Sequence, residues 1–340
     1  MFQFMQPDRV SDLHFKYDPV SGLRAIIAIH NTRFGPALGG CRFIHYASTE
    51  QAVTDAIRLA KGMSYKAVMA GIEQGGGKSV IIKPDTQFDP EALFSAFGHF
   101  VNELNGRYIT AIDAGTTAHE MDIIRRHTAH VTSTTQEGNP SGYTAQGVLA
   151  GIQSAVKHRL GRLSLEGVSV ALQGLGNVGF LLAEMLHEAG ARLTVSDLDQ
   201  SKVKAAMERF GATASDPDTI YQTPCDVFSP CGLGGVINQT TTQQLRCSVV
   251  AGSANNQLAR PEDGNTLFER HILYAPDYVI NAGGLIYASL HHRHAKNSLI
   301  NSKINHIAHT LEQIFDDASS EHCPTSQVAD RMAESRLYGY

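Results

Sequence analysis

The chain has no tryptophan, and its cysteines are few. There are five, at positions 41, 225, 231, 247 and 323, an odd number with no CxxC pair. That pattern fits reduced thiols in the cytoplasm better than a disulfide framework or a zinc site. A basic excess is also missing. Against 28 lysines and arginines stand 33 aspartates and glutamates, a net charge of -5, so no nucleic-acid partner is expected. The apolar runs fall far short of the roughly 20 residues that a bilayer span needs, and no membrane role is expected. The opening Met1-Phe-Gln-Phe-Met-Gln-Pro7 lacks the basic and apolar regions of a secretory leader, in keeping with a cytoplasmic location. Internal repeats and low-complexity stretches are absent from the sequence.

What is present is an alternation of helical and extended patterns over 340 residues, enough for two domains with their own cores. Residues 24–31 read as an apolar strand, and 35–40 as a turn-rich break. Val53, Ile57 and Ala60 recur at helical spacing over 50–63, with Thr49 as the expected cap. A second helix is expected over 90–104, with Leu93, Phe97, Phe100 and Leu104 on one face, followed by a strand at 107–112 that delivers Asp113 into a turn. The polar segment 133–142 is the expected hinge. Beyond it come a helix at 144–158, strands at 167–172 and 192–196, and short strands at 225–228, 247–251 and 278–281. The chain is expected to be mostly helical after Gly284. The fold class is therefore α/β, with a first domain at 1–135 and a second at 136–324, and a terminal helix at 325–340 folding back on the first.

Two glycine-rich stretches carry the chemistry. Gly75-Gly76-Gly77-Lys78, running into Ser79-Val-Ile-Ile82, reads as a tight loop opening a buried strand. Taken alone it fits either a flexible surface loop or a backbone cradle whose lysine, partly buried, serves as acid or base. Gly174-Leu-Gly176-Asn177-Val178-Gly179 is the stronger signal. It follows a strand, opens a helix, and has Asp197 at the end of the next strand, about 20 positions on. The helix N-terminus favours a pyrophosphate, and Asp197 accepts from a ribose hydroxyl. With Asp199 it would repel a 2′-phosphate, so NAD is expected rather than NADP. The run His291-His-Arg-His294 is no metal site by this reading, because consecutive helical histidines cannot all face one ion.

Gly35-Pro-Ala-Leu-Gly-Gly-Cys-Arg-Phe43, Gly62-Met-Ser-Tyr-Lys66, Gly75-Gly-Gly-Lys78, Thr110-Ala-Ile-Asp113 and Tyr274-Ala-Pro-Asp-Tyr-Val-Ile-Asn-Ala-Gly-Gly284 together resemble the Glu/Leu/Phe/Val amino-acid dehydrogenases, in order along nearly the whole chain. The resemblance implies a substrate domain and a Rossmann dinucleotide-binding domain flanking a cleft, in a homo-oligomer (dimer or octamer). It implies reversible, NAD-dependent deamination of an L-amino acid to a 2-oxo acid and ammonia. By position it makes Lys78 and Asp113 catalytic. Lys66 would hold the substrate carboxylate, aided by Gly39, Gly40 and Met63, with Leu38, Ala111, Asn281, Ile304 and Ile307 also lining the substrate. Thr144, Asn281 and Ser253-Ala254-Asn255 would hold the nicotinamide end of NAD, and Cys231 would be a packed thiol near the adenine. Glutamate enzymes of the family carry lysine where this chain has Leu38, so an apolar, branched-chain substrate is expected ahead of glutamate or phenylalanine. A catalytically dead NAD sensor is the alternative outside the enzymes, disfavoured by Lys66, Lys78 and Asp113. The family commonly has Thr-Ala-Glu-Asp where this chain has Thr-Ala-Ile112-Asp113.

Overall fold

The computed structural model describes residues 2–339, and the chain separates into two compact units. The first ends at Asn139 and takes in Ala288–Ala295 and Arg336–Gly339; the second comprises Pro140–Tyr287 and Lys296–Ser335.

The first unit contains α1 (Phe2–Met5), β1 (Asp12–Asp18), β2 (Leu23–Asn31), β3 (Ala37–Ile44), α2 (Thr49–Met69), β4 (Gly75–Ile82), α3 (Pro90–Glu103), β5 (Tyr108–Ile112) and α4 (Ala118–Arg125). Its sheet has the order β1-β2-β4-β3-β5. The first two pairings are antiparallel, and β3 runs parallel to both β4 and β5. Strand side chains alternate between the two faces of the sheet. Cys41, Phe43, Ile81 and Tyr108 pack on one face with Leu93, Phe94 and Phe97 of α3 and Ile124 of α4. Ile26, Ala28, Val80 and Ile82 pack on the other with Val53, Ala56, Ile57 and Ala60 of α2.

Both glycine-rich readings in this unit need correction. Residues 37–40 are strand rather than turn, and Gly75–Gly77 are the start of β4 rather than a loop. The glycines serve close approach of other backbone. A Cβ on Gly39 would lie 1.7 Å from the Gly77 carbonyl oxygen, and one on Gly76 would lie 2.1 Å from the Ser64 nitrogen of α2. Ser48, not Thr49, caps α2 by accepting from the Gln51 amide, and the helix continues past 63 because Ala67, Val68 and Met69 are buried.

The second unit contains α5 (Ser141–Leu160), β6 (Ser169–Gln173), α6 (Asn177–Glu188), β7 (Arg192–Ser196), α7 (Gln200–Phe210), β8 (Thr213–Ala214), β9 (Val227–Pro230), α8 (Thr241–Gln244), β10 (Val249–Val250), α9 (Pro261–Glu269), β11 (Leu273–Tyr274) and α10 (Asp277–Ile280). Helices α11 (Gly283–His292), α12 (Asn297–Glu321) and α13 (Thr325–Tyr338) follow. The strand order is β11-β10-β9-β6-β7-β8 and every pairing is parallel, the doubly wound arrangement of a Rossmann fold. The strand expected at 278–281 is instead helix α10, whose Ile280 amide donates back to the Pro276 carbonyl.

The division falls at Asn139/Pro140 rather than after 135. The Thr132 amide bonds to the Thr110 carbonyl beside β5, and Thr135 bonds to Asp122 of α4, which ties this segment to the first unit. The expectation that all of 325–340 returns to the first domain is also corrected. Thr325 donates to the Tyr274 carbonyl and Tyr278 to Asp330, within the second unit. Only Arg336–Gly339 join the first, where Arg33 donates to the Leu337 carbonyl at 2.7 Å. No described helix is long and apolar enough to cross a membrane.

Candidate active site

In the first unit, period two places Leu38, Gly40 and Arg42 of β3, Lys78 of β4, and Ala111 and Asp113 of β5 and its end on the sheet face that packs against α2. Cross-strand register sets Gly40 beside Ala111 and Leu38 beside Gly76. Lys78 is buried and ion-paired with Asp113 Oδ2. Gly40 gives Asp113 its room, since a Cβ there would lie 2.7 Å from the Asp113 Cβ. Gly39 faces the other way, and its carbonyl accepts from the Tyr108 hydroxyl at 2.7 Å. Met63 and Lys66 lie on α2, half-buried, on either side of the Ser64 contact with Gly76. Leu38 belongs to the same face but is only 2% exposed.

Burial pulls the Lys78 pKa down from 10.5 to about 7, and the nearby cations Arg42 and Lys66 push it the same way. A lysine with that pKa is present in both protonation states near neutrality, as an acid–base group requires. Sequence reasoning gave Arg42 no role. Its guanidinium lies 3.5 Å from Asp113 Oδ1 and 2.7 Å from Asp55 Oδ2 of α2. The available signal was its place in β3, two residues after Gly40.

In the second unit, Gly174 follows β6 at φ +96°, where a Cβ would lie 2.7 Å from the Gly232 nitrogen. Gly176 caps α6 without any side-chain acceptor, so the helix start at Asn177 and Val178 carries no side-chain cap. A Cβ on Gly179 would strike the Gly174 carbonyl oxygen at 2.0 Å. Asp197 follows β7; its Oδ2 accepts from the Leu175 amide at 2.6 Å and its Oδ1 from the Asp199 amide at 2.8 Å. The carboxylate is thus held against the glycine turn. The Cys231 amide donates to the Gln173 carbonyl at 2.7 Å beside the same turn. Burial raises its thiol pKa, which suits a packed group rather than a nucleophile.

Asn281, Ser253, Ala254 and Asn255 also converge. Asn281 Nδ2 donates to the Ser253 carbonyl at 3.0 Å and to Asn255 Oδ1 at 2.8 Å, with the Ala254 carbonyl at 3.4 Å. Its buried Oδ1 has no donor among the described residues. Thr144 lies beside Gly284, where a Cβ would sit 2.6 Å from the Thr144 hydroxyl. An unfilled amide acceptor, an open helix N-terminus and an anchored carboxylate together fit a dinucleotide bearing a carboxamide. Ile304 and Ile307 lie on α12. With Ile300, Leu311 and Ile314 they form the buried stripe of α12, and Ile307 packs where a Cβ on Gly147 of α5 would lie 2.8 Å from it. Both are buried within this unit, as Leu38 is within the first. Among the described residues no group of three or more His, Cys, Asp or Glu is placed to hold a metal ion, the 291–294 run included.

Residues 7–130 match the model of the Glu/Leu/Phe/Val dehydrogenase dimerisation domain, and residues 139–201 and 198–336 match that of Glutamate/Leucine/Phenylalanine/Valine dehydrogenase. The chain belongs to the Glu/Leu/Phe/Val dehydrogenase family. It is an amino-acid dehydrogenase, an oxidoreductase that works with a nicotinamide cofactor. The leucine dehydrogenase of Geobacillus stearothermophilus is 48% identical over 341 residues, covering 99% of this chain and 93% of that protein. That of Bacillus subtilis is 46% identical over 343 residues, covering 99% and 94%. The crystal structure of L-tryptophan dehydrogenase from Nostoc punctiforme superposes with a TM-score of 0.89 at 39% identity, covering 100% of this chain and 99% of that one.

Proposed function

We propose that this dehydrogenase catalyses the reversible, NAD-dependent oxidative deamination of an apolar, branched-chain L-amino acid (leucine, isoleucine or valine) to its 2-oxo acid and ammonia. The observation that carries the reading is the buried Lys78–Asp113 pair on the sheet face packed against α2, the helix that bears Met63 and Lys66. The Lys66 ammonium pairs with the substrate carboxylate beside the Gly39–Gly40 backbone. Neutral Lys78 takes a proton from the water that attacks the substrate imine carbon. Asp113 passes protons to and from the amine nitrogen as ammonia departs. Charge at the carboxylate and at the reacting carbon is thereby met at two separate places.

Gly174, Gly176, Asn177, Val178 and Gly179 would hold the NAD pyrophosphate, Asp197 the adenosine ribose, and Thr144, Ser253–Asn255 and Asn281 the nicotinamide end, with Cys231 packed nearby. When bound, NAD supplies the hydride acceptor for the substrate Cα. Asp197 and the exposed Asp199 favour NAD over NADP. Leu38 offers no charge to a side-chain carboxylate, which disfavours glutamate. The reading includes a homo-oligomer, dimer or octamer, supported by the match to a dimerisation domain, and a cytoplasmic location. The likeness to an L-tryptophan dehydrogenase makes aromatic acids the rival substrates. A screen of L-amino acids with NAD, read by NADH absorbance, tests the proposal. Leucine, isoleucine or valine should exceed alanine by at least about tenfold in kcat/KM, since each packed methylene contributes about 1–3 kcal/mol of discrimination. A preference for glutamate or tryptophan would overturn the substrate assignment.

A further inference from the structure

Arg42 contacts the ion pair from outside the set of residues assigned above, and its geometry is lopsided. Nη1 is anchored on Asp55 Oδ2 at 2.7 Å, and that carboxylate is held in turn by the Tyr46 hydroxyl at 2.6 Å and by Arg58 at 3.1 Å. Nη2 reaches Asp113 Oδ1 only at 3.5 Å, while the other oxygen of Asp113 faces Lys78. Nε is buried with no acceptor among the described residues. Two cations thus share one carboxylate, and the second is fixed to α2. We infer that Arg42 is a positioning residue for the Lys78–Asp113 pair, competing with the lysine for the aspartate and placing a fixed positive charge on the acid–base site.

The charge balance around Lys78 gives the inference its sign. The charged groups around it are Asp113 at the end of β5, Arg42 on β3, and Lys66 and Asp55 on α2, with the buried Cys41 thiol of β3 on the opposite sheet face. Arg42 and Lys66 disfavour its protonated form; Asp55 favours it. Removing Arg42 deletes a cation and leaves both oxygens of Asp113 to the lysine, so Lys78 should hold its proton to higher pH. Removing the charge of Asp55 should do the opposite. A purely structural role for the network would make both changes harmful in the same direction.

The inference rests on the function proposed above, and the experiment separates the two. The pH dependence of kcat/KM with L-leucine and NAD is measured for wild type, Arg42→Met, Arg42→Lys and Asp55→Asn. In parallel the Lys78 titration is followed by the 15Nζ shift of lysine-labelled protein, assigned by its loss in Lys78→Arg, which needs no turnover. Arg42→Met should move the acid limb and the Nζ titration up by at least about half a unit, a roughly threefold loss of kcat/KM below the limb. Arg42→Lys should restore most of the wild-type position, and Asp55→Asn should shift both downward. An unmoved titration in Arg42→Met, or shifts of the same sign in Arg42→Met and Asp55→Asn, overturns the inference. Should Arg42→Met fail to fold, an unshifted Asp55→Asn overturns it. A wild type that cannot oxidise an apolar amino acid defeats the function instead, and the Nζ titration still decides the role of Arg42.

Discussion

Replacing His30 with glutamine should leave the protein less sensitive to acid. His30 lies on β2, 1% exposed, with Nδ1 2.7 Å from the Ser64 hydroxyl and Nε2 3.3 Å from the Tyr338 hydroxyl. Burial lowers its pKa from 6.5 to about 4, outweighing a backbone contact at Asp8 that acts the other way. Between those values the unfolded chain binds a proton that the folded chain refuses, so stability rises with pH across the window. The contribution is complete above pH 6.5 and is lost as pH falls through about 4. At 1.36 kcal/mol per unit, the gap from 6.5 to about 4 corresponds to roughly 3 kcal/mol. The assay is the guanidinium unfolding midpoint at fixed protein concentration, stepped from pH 7 to pH 4, with the variant subtracted from wild type to cancel every other titrating group. Wild type should lead at pH 7, where it keeps the Ser64 and Tyr338 contacts, and the lead should shrink by up to about 3 kcal/mol toward pH 4. Parallel curves would refute the reasoning, because they would mean that His30 titrates alike in both states.

Gly40→Ala should lower kcat roughly tenfold to a hundredfold with NADH affinity unchanged. Its Cβ would press on the Asp113 Cβ and the Ile112 carbonyl oxygen, both 2.7 Å away, and a displacement of about 1 Å at a reacting group costs on that order; an unchanged kcat would remove Asp113 from the reacting centre. Asp197→Ala should weaken NAD binding and narrow the NAD-to-NADP ratio of kcat/KM, and a ratio that stays put would mean another residue reads the ribose.

The two units were unequally legible in the sequence, and locality explains the difference. The dinucleotide fingerprint needs only a strand, a turn and a helix in succession, with Asp197 one βα unit on, so its register shows in a short window. In the first unit the meaning of each glycine lies far along the chain. Gly39 is small because Gly77 passes over it, and Gly76 because Ser64 does. From the sequence both stretches look like breaks; in the fold they are the innermost strands. Arg42 was overlooked for the same reason, since its partners come from α2 and from beyond β5. Ile304 and Ile307 sit at a spacing equally consistent with a pocket wall and a core stripe, and in the fold both are buried on α12, which packs against α5. Ile112 stands where the family commonly has an acid. Ile112 is exposed, and strand alternation puts it on the face away from Lys78.

The central claim is that Lys78, able to hold or release its proton near neutral pH, performs the acid–base chemistry of amino-acid deamination. It is tested most directly by Lys78→Ala, with kcat for L-leucine and NADH affinity measured on the same preparation. Turnover should fall by well over tenfold, more than about 1.4 kcal/mol of barrier, while NADH binds as in wild type. A variant that retains more than about a tenth of wild-type kcat would contradict the assignment, because less than that barrier would then depend on the lysine.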